Sequence, residues 1–171
     1  MKPSAVWNDH YSVGDEFIDA QHKQILDDIN DLFDAREEKR GRAALTPICD
    51  RLLENTITHF RQEEQVMQQC GYPHFEQHKA FHDKMRERTV ELREKVHLNA
   101  GEYLLVFLKD WWTGHIQGQD KKLAPYLSLV AAAGKWQYGQ PSTTKPACLP
   151  PKQSSKRSIP TEARFNAVPS A

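Results

Sequence analysis

A chain of 171 residues has room for one domain with a real core. Its 23 lysines and arginines balance 23 aspartates and glutamates, which excludes the one-sided field of a protein that binds nucleic acid or an anionic membrane. Cys49, Cys70 and Cys148 are odd in number and widely spaced, with no CxxC pair, which excludes a disulfide framework and a thiolate zinc site.

The N-terminal segment MKPSAVWNDHYS has no apolar run of the signal-peptide kind. No segment approaches the ~20 apolar residues of a membrane span. A cytoplasmic protein is therefore expected, with a short extended arm leading into the first helix.

From Asp15 the chain reads as helix nearly throughout. Ile18, His22, Ile25, Ile29 and Leu32 recur in steps of four and three, the period of a buried helical stripe. Gly41 is placed to end that helix, and Thr46-Pro47 reads as an N-cap followed by proline in the first turn of the next. The second stripe is Leu45, Ile48, Leu52, Thr56, His59, Glu63, Val66 and Cys70, with Gly71 as its C-cap and Pro73 opening the third helix. Phe75, His78, His82, Met85, Thr89, Leu92 and Val96 form the third stripe. After a break at Gly101 the fourth follows, with Leu104, Leu108, Trp111 or Trp112, and His115, running toward Ala133.

Four amphipathic segments on short connections predict an all-α, antiparallel up-down-up-down four-helix bundle. The bundle is assigned to residues 1–136. Residues 137–171 hold six of the ten prolines, and five cationic side chains against Glu162 alone give the segment a charge of +4. Such a Pro/Ser/Lys-rich segment is expected to form a disordered, solvated tail. The alternative is docking on an acidic partner or lipid surface.

What sits in the inner stripes is unusual. His22, His59, Glu63, His78, His82 and His115 occupy positions where leucines are expected, spread over all four helices. A buried carboxylate without a partner costs several kcal/mol and needs a cation or donors. Two of the helices present their groups as i,i+4 pairs, about 40° apart around the axis. A metal site is the economical reading. Asp120 lies five residues past His115, about 140° around an ideal helix. The glycines at 114 and 118 suggest a looser, π-like turn that would let the two share a face. Imidazole suits iron, zinc and copper, so ligand type alone leaves a dinuclear zinc site as the other metal reading.

These motifs, DAQHK, HFRQE, HKAFH and WWTGHIQGQD, resemble the hemerythrin family of the bacterial kind in order and in internal spacing, H-x3-E, H-x3-H and H-x4-D. The similarity spans about residues 6–130 and excludes the tail. It implies that His78, His82 and His115 ligate one iron and His22 and His59 the other. Glu63 and Asp120 would bridge the two ions beside an oxo or hydroxo bridge from solvent. On that count one iron is six-coordinate and the other five-coordinate, leaving one open position for dioxygen. A neutral, histidine-rich set is expected to favour reversible binding over oxidation chemistry.

The resemblance thus implies dioxygen storage, or delivery to an oxygen-consuming enzyme, by a protein that has no catalytic residue and is not itself an enzyme. A monomer is expected. The alternative is an oxygen or redox sensor acting through a partner protein. Signalling versions are usually fused to a transducer, and here only the tail follows the domain. Phe60, Trp111, Trp112 and Ile116 are candidates for a dry shell around the open position. Trp112 departs from the leucine common at that place in the family, and is expected to narrow the pocket if it faces inward. His10, His74 and His97 fall outside the ligand pattern, with His74 expected at the exposed start of the third helix.

Overall fold

The computed structural model describes residues 6–98 and 100–132, with backbone only for 100–102, 104 and 129–132. The expected boundary at residue 136 and the tail at 137–171 lie outside the described residues. The arm carries a short 3₁₀ turn, Asp9–Tyr11, before α1 (Glu16–Glu37), α2 (Arg42–Gln69), α3 (Phe75–Lys95) and α4 (Ala100–His115). A π turn, Ile116–Asp120, passes into α5 (Lys121–Ala132), so that α4 and α5 form the fourth rod of the bundle. No strand occurs among the described residues.

Helix α1 packs on α2, α2 on α3 and α3 on α4, and α4 closes back on α1. Short links of this kind give the antiparallel four-helix arrangement. The inner stripes are the expected ones: Ile18, Ile25, Ile29, Leu32, Leu52, Met85, Leu92 and Leu108 are all buried. On α4 the inward tryptophan is Trp112, while Trp111 is half-buried beside Phe107.

The helix ends differ from expectation in three places. Helix α1 ends four residues before Gly41, with Lys39 in the left-handed region at φ 54°. There the Lys39 and Arg40 N–H groups donate to the carbonyls of Arg36 and Ala35, the pattern of a Schellman cap. Gly41 instead precedes α2 as its N-cap, and Thr46 and Pro47 lie inside that helix. Pro47 sits on the exposed face, and the carbonyl it leaves unpaired belongs to the exposed residue Ala43, within reach of water. Gly101 falls within α4 and not in the break before it. At the end of α2 the expectation holds: Gly71 adopts φ 65°, and the Tyr72 N–H donates to the Met67 carbonyl. Helix α3 opens at Phe75, two residues after Pro73, with exposed His74 at its N-cap.

Asp15 caps α1 by accepting from the Phe17 and Ile18 N–H groups, both at 3.0 Å. One turn later Asp19 holds the arm down, accepting from Ser12 Oγ at 2.5 Å and from the Val13 N–H at 2.8 Å. Lys121 donates to the Ser12 carbonyl from the other side. The arm is thereby fastened over the end of the bundle where the π turn lies.

Candidate metal centre

All seven inward polar groups meet in one layer. His22, His59, Glu63, His82 and Asp120 are 0 % exposed, His78 1 % and His115 2 %. The imidazoles fall into two sets by distance. His78, His82 and His115 have ring centroids 4.6–5.0 Å apart, and His22 and His59 lie 4.6 Å apart. Asp120 spans the sets: Oδ1 lies 3.0 Å from His78 Nε2 and 3.1 Å from His115 Nε2, while Oδ2 lies 3.3 Å from His22 Nε2. Glu63 Oε2 lies 3.1 Å from His82 Nε2 and 3.7 Å from both His59 and His78 Nε2.

The π turn makes this possible. The Lys121 N–H donates to the Ile116 carbonyl five residues back, so one turn holds an extra residue and Asp120 returns to the face of His115. Neither Gly114 nor Gly118 has a positive φ, and a Cβ at either would meet open space. The glycines are therefore not sterically required for the turn.

The sequence reading missed the residues behind the layer. His82 Nδ1 faces Glu64 Oε1 at 2.9 Å, and Arg86 Nη2 donates to the same oxygen at 2.7 Å. A carboxylate only accepts, so Nδ1 carries the proton and Nε2 keeps its lone pair for the layer. His59 Nδ1 is held in the same sense by the Gln21 amide oxygen at 3.2 Å, and Gln21 in turn donates to Gln62. Gln21 and Glu64 each adjoin an inner-stripe residue in sequence, which was the available signal. Burial works to raise the Glu64 carboxyl, but the contacts with His82 and Arg86 outweigh it and hold it low.

The electrostatics of the layer suit neutral imidazole donors. Burial, reinforced by His22, pushes His59 well below the ordinary histidine range. Burial likewise lowers His115 to about 3, against the attraction of Asp120. For His82 burial acts downward too, yet the Glu63 and Glu64 carboxylates beside it leave it raised. Burial disfavours the Asp120 carboxylate, and the surrounding imidazoles, His115 first, still hold its carboxyl well below the usual range.

The donor set fits metal ions for a further reason. Neither oxygen of Glu63 or of Asp120 has a hydrogen-bond partner, and His22, His59, His78 and His115 each keep a ring nitrogen without one. Buried carboxylates in that condition need cations. Donor atoms of Glu63, His78, His82, His115 and Asp120 lie within 4.8 Å of one another, as do those of His22, His59 and Asp120. The chain's Glu94-x-x-His97 spacing, of the carboxylate-rich di-iron type, is exposed at the end of α3 and takes no part.

The Hemerythrin HHE cation binding domain profile matches residues 13–127. The chain belongs to the hemerythrin family. It is 34% identical over 123 residues to a bacteriohemerythrin of Stenotrophomonas maltophilia, covering 70% of this chain and 78% of the relative. Against a bacteriohemerythrin of Methylococcus capsulatus it is 36% identical over 115 residues, 66% of this chain and 87% of that one. A myohemerythrin of Sipunculus nudus is 32% identical over 117 residues, 68% and 88% respectively. The crystal structure of a wild-type hemerythrin superposes with a TM-score of 0.64 at 35% identity, over 72% of this chain and 97% of that chain. With hemerythrin membership go a non-haem di-iron centre and reversible binding of dioxygen.

Proposed function

We propose that His78, His82 and His115 hold one iron and His22 and His59 the other, with Glu63 and Asp120 joining the two through their carboxylates. On this reading the protein stores dioxygen or delivers it to an oxygen-consuming enzyme, and catalyses no reaction of its own. The observation that carries the reading is the convergence of five buried imidazoles on two fully buried carboxylates that have no other partner.

Bound there, the irons supply the site for dioxygen and the electrons it takes up and returns. The chain supplies the rest. Glu64 and Gln21 fix the tautomers of His82 and His59, so that each Nε2 is presented as a donor. Phe60, Trp112 and Ile116, all 0 % exposed, keep water from the layer. Phe60 stacks on His82 with centroids 4.0 Å apart and an interplanar angle of 15°. Trp111 is not among them, since its ring packs on Phe107. The carboxylates and imidazoles of the layer all face one another. No helix among the described residues is long and apolar enough to cross a membrane, in keeping with a cytoplasmic carrier.

The test is optical. Protein loaded with ferrous iron without oxygen, exposed to air and then swept with inert gas, is expected to gain and lose a visible charge-transfer band over repeated cycles. Irreversible conversion within one cycle would replace the carrier reading with a redox sensor or an oxidase. A protein that retains no iron and shows no band would make zinc the resident metal.

A further inference from the structure

Among the described residues Trp112 is the largest fully buried side chain, and its indole Nε1–H has no acceptor there. A buried donor left unpaired costs free energy on the scale of a lost hydrogen bond, so its persistence calls for an acceptor that arrives from elsewhere. The position of the ring says where. It lies 5.6 Å from His59 and 6.2 Å from His22, centroid to centroid, and meets His115 edge-on at 6.2 Å. Phe60, stacked 5.3 Å behind it at an interplanar angle of 10°, keeps it there.

The two halves of the layer are unequal. One cluster offers five protein donors and the other, His22, His59 and Asp120, offers three. Metals with three protein donors keep positions open for ligands from outside. Trp112 therefore borders the half of the layer with room for a guest, and the ring that borders it carries the unpaired N–H.

We propose that Trp112 determines which ligands the centre accepts. Its Nε1–H donates a hydrogen bond to the ligand beside His22 and His59, and its ring limits that ligand to two or three small atoms. The guests selected are dioxygen and compact anions. This rests on the di-iron reading above and deepens it, since it assigns a polar contact and a size limit to a wall that would otherwise be only apolar.

Azide and thiocyanate titrations of the oxidised, iron-loaded full-length protein separate the two parts of the proposal. Trp112→Phe keeps an aromatic ring and deletes the donor. It is expected to bind azide about tenfold to a hundredfold more weakly, the usual cost of losing a hydrogen bond to a charged group, at unchanged iron stoichiometry and far-ultraviolet circular dichroism. Trp112→Leu removes the ring volume and is expected to take up thiocyanate, with its bulkier sulfur, at concentrations where the unsubstituted protein does not. Unchanged azide affinity in Trp112→Phe overturns the hydrogen bond, and unchanged discrimination between the anions in Trp112→Leu overturns the size limit. Unsubstituted protein that holds two irons but takes up no azide overturns the proposal while leaving the di-iron reading in place. Unsubstituted protein that holds no iron overturns that reading and the proposal with it.

Discussion

Asp28 and Asp120 are both fully buried, and the fold treats them in opposite ways. Asp28 accepts from Arg51 Nε at 2.7 Å, Asn55 Nδ2 at 2.6 Å and Gln24 Nε2 at 3.2 Å, which ties α1 to α2. Asp120 and Glu63 accept from no donor. The contrast within one molecule is the residue-scale argument for cations in the layer, because the chain evidently has the means to satisfy a buried carboxylate where none is present. Behind the layer, Glu64 is the residue whose role is most directly testable. Glu64→Gln keeps the shape and an acceptor but loses the charge facing His82 Nδ1. It is expected to weaken iron retention about 10–100-fold, read by competition with a chelator. The inward set was legible from the sequence, because a histidine at stripe spacing on every helix has few bland explanations. Gln21, Glu64 and Arg86 were not. Which exposed-looking polar side chain reaches across to a neighbouring helix depends on packing angles that no spacing encodes.

At the scale of elements, the join between α4 and α5 matters most. The step from His115 to Asp120 pointed to a π turn, and the turn is there, but not for the reason the glycines suggested. Gly118→Ala is accordingly expected to leave the iron stoichiometry unchanged and to alter stability by about 1 kcal/mol or less, in the direction of helix propensity. The ends of α1 and α2 show where sequence reading failed. Gly41 is the more obvious helix stop, yet the left-handed position falls on Lys39, two residues earlier. A flexible, exposed lysine carries the penalty there. Lys39→Gly is expected to raise stability by about 0.5–1 kcal/mol, measured by denaturant unfolding, since glycine adopts that conformation without the steric cost. The start of α2 lies at Arg42, five residues before Pro47, so the proline marks no boundary. Pro47 lies past the first turn of α2 on an exposed face, where water can reach the carbonyl it frees.

For the whole molecule, the stripes were sufficient to derive the bundle, since the period of three and four left only one way to bury four faces. The metal is part of that burial. Iron binds the folded layer and not the unfolded chain, so removing it is expected to cost several kcal/mol, seen as a lower denaturation midpoint after chelation. In the metal-free protein the surrounding imidazoles already favour the Asp120 carboxylate, so Asp120→Asn is expected to cost some stability there and far more in the loaded protein, where it removes a ligand. A loss several-fold larger in the loaded state would distinguish a ligand from a packing residue.

Among the described residues the apolar interior gathers into two separate bodies. One runs from Ile25 and Leu26 through Leu52, Met85 and Leu105 to Ile116, and the other gathers Val13, Ile18, Val66, Met67, Tyr72, Leu123 and Tyr126 under the arm. The metal layer lies at the seam. Loaded, the ions act as rivets across it and the bundle should unfold as one unit. Stripped, the seam loses the ions that join its two carboxylates and five imidazoles, and the arm, the end of α2 and α5 would open together ahead of the rest. Amide exchange would then report iron occupancy at one end of the rod and ignore it at the other, which makes the centre a fastener of the fold as well as a seat for gas.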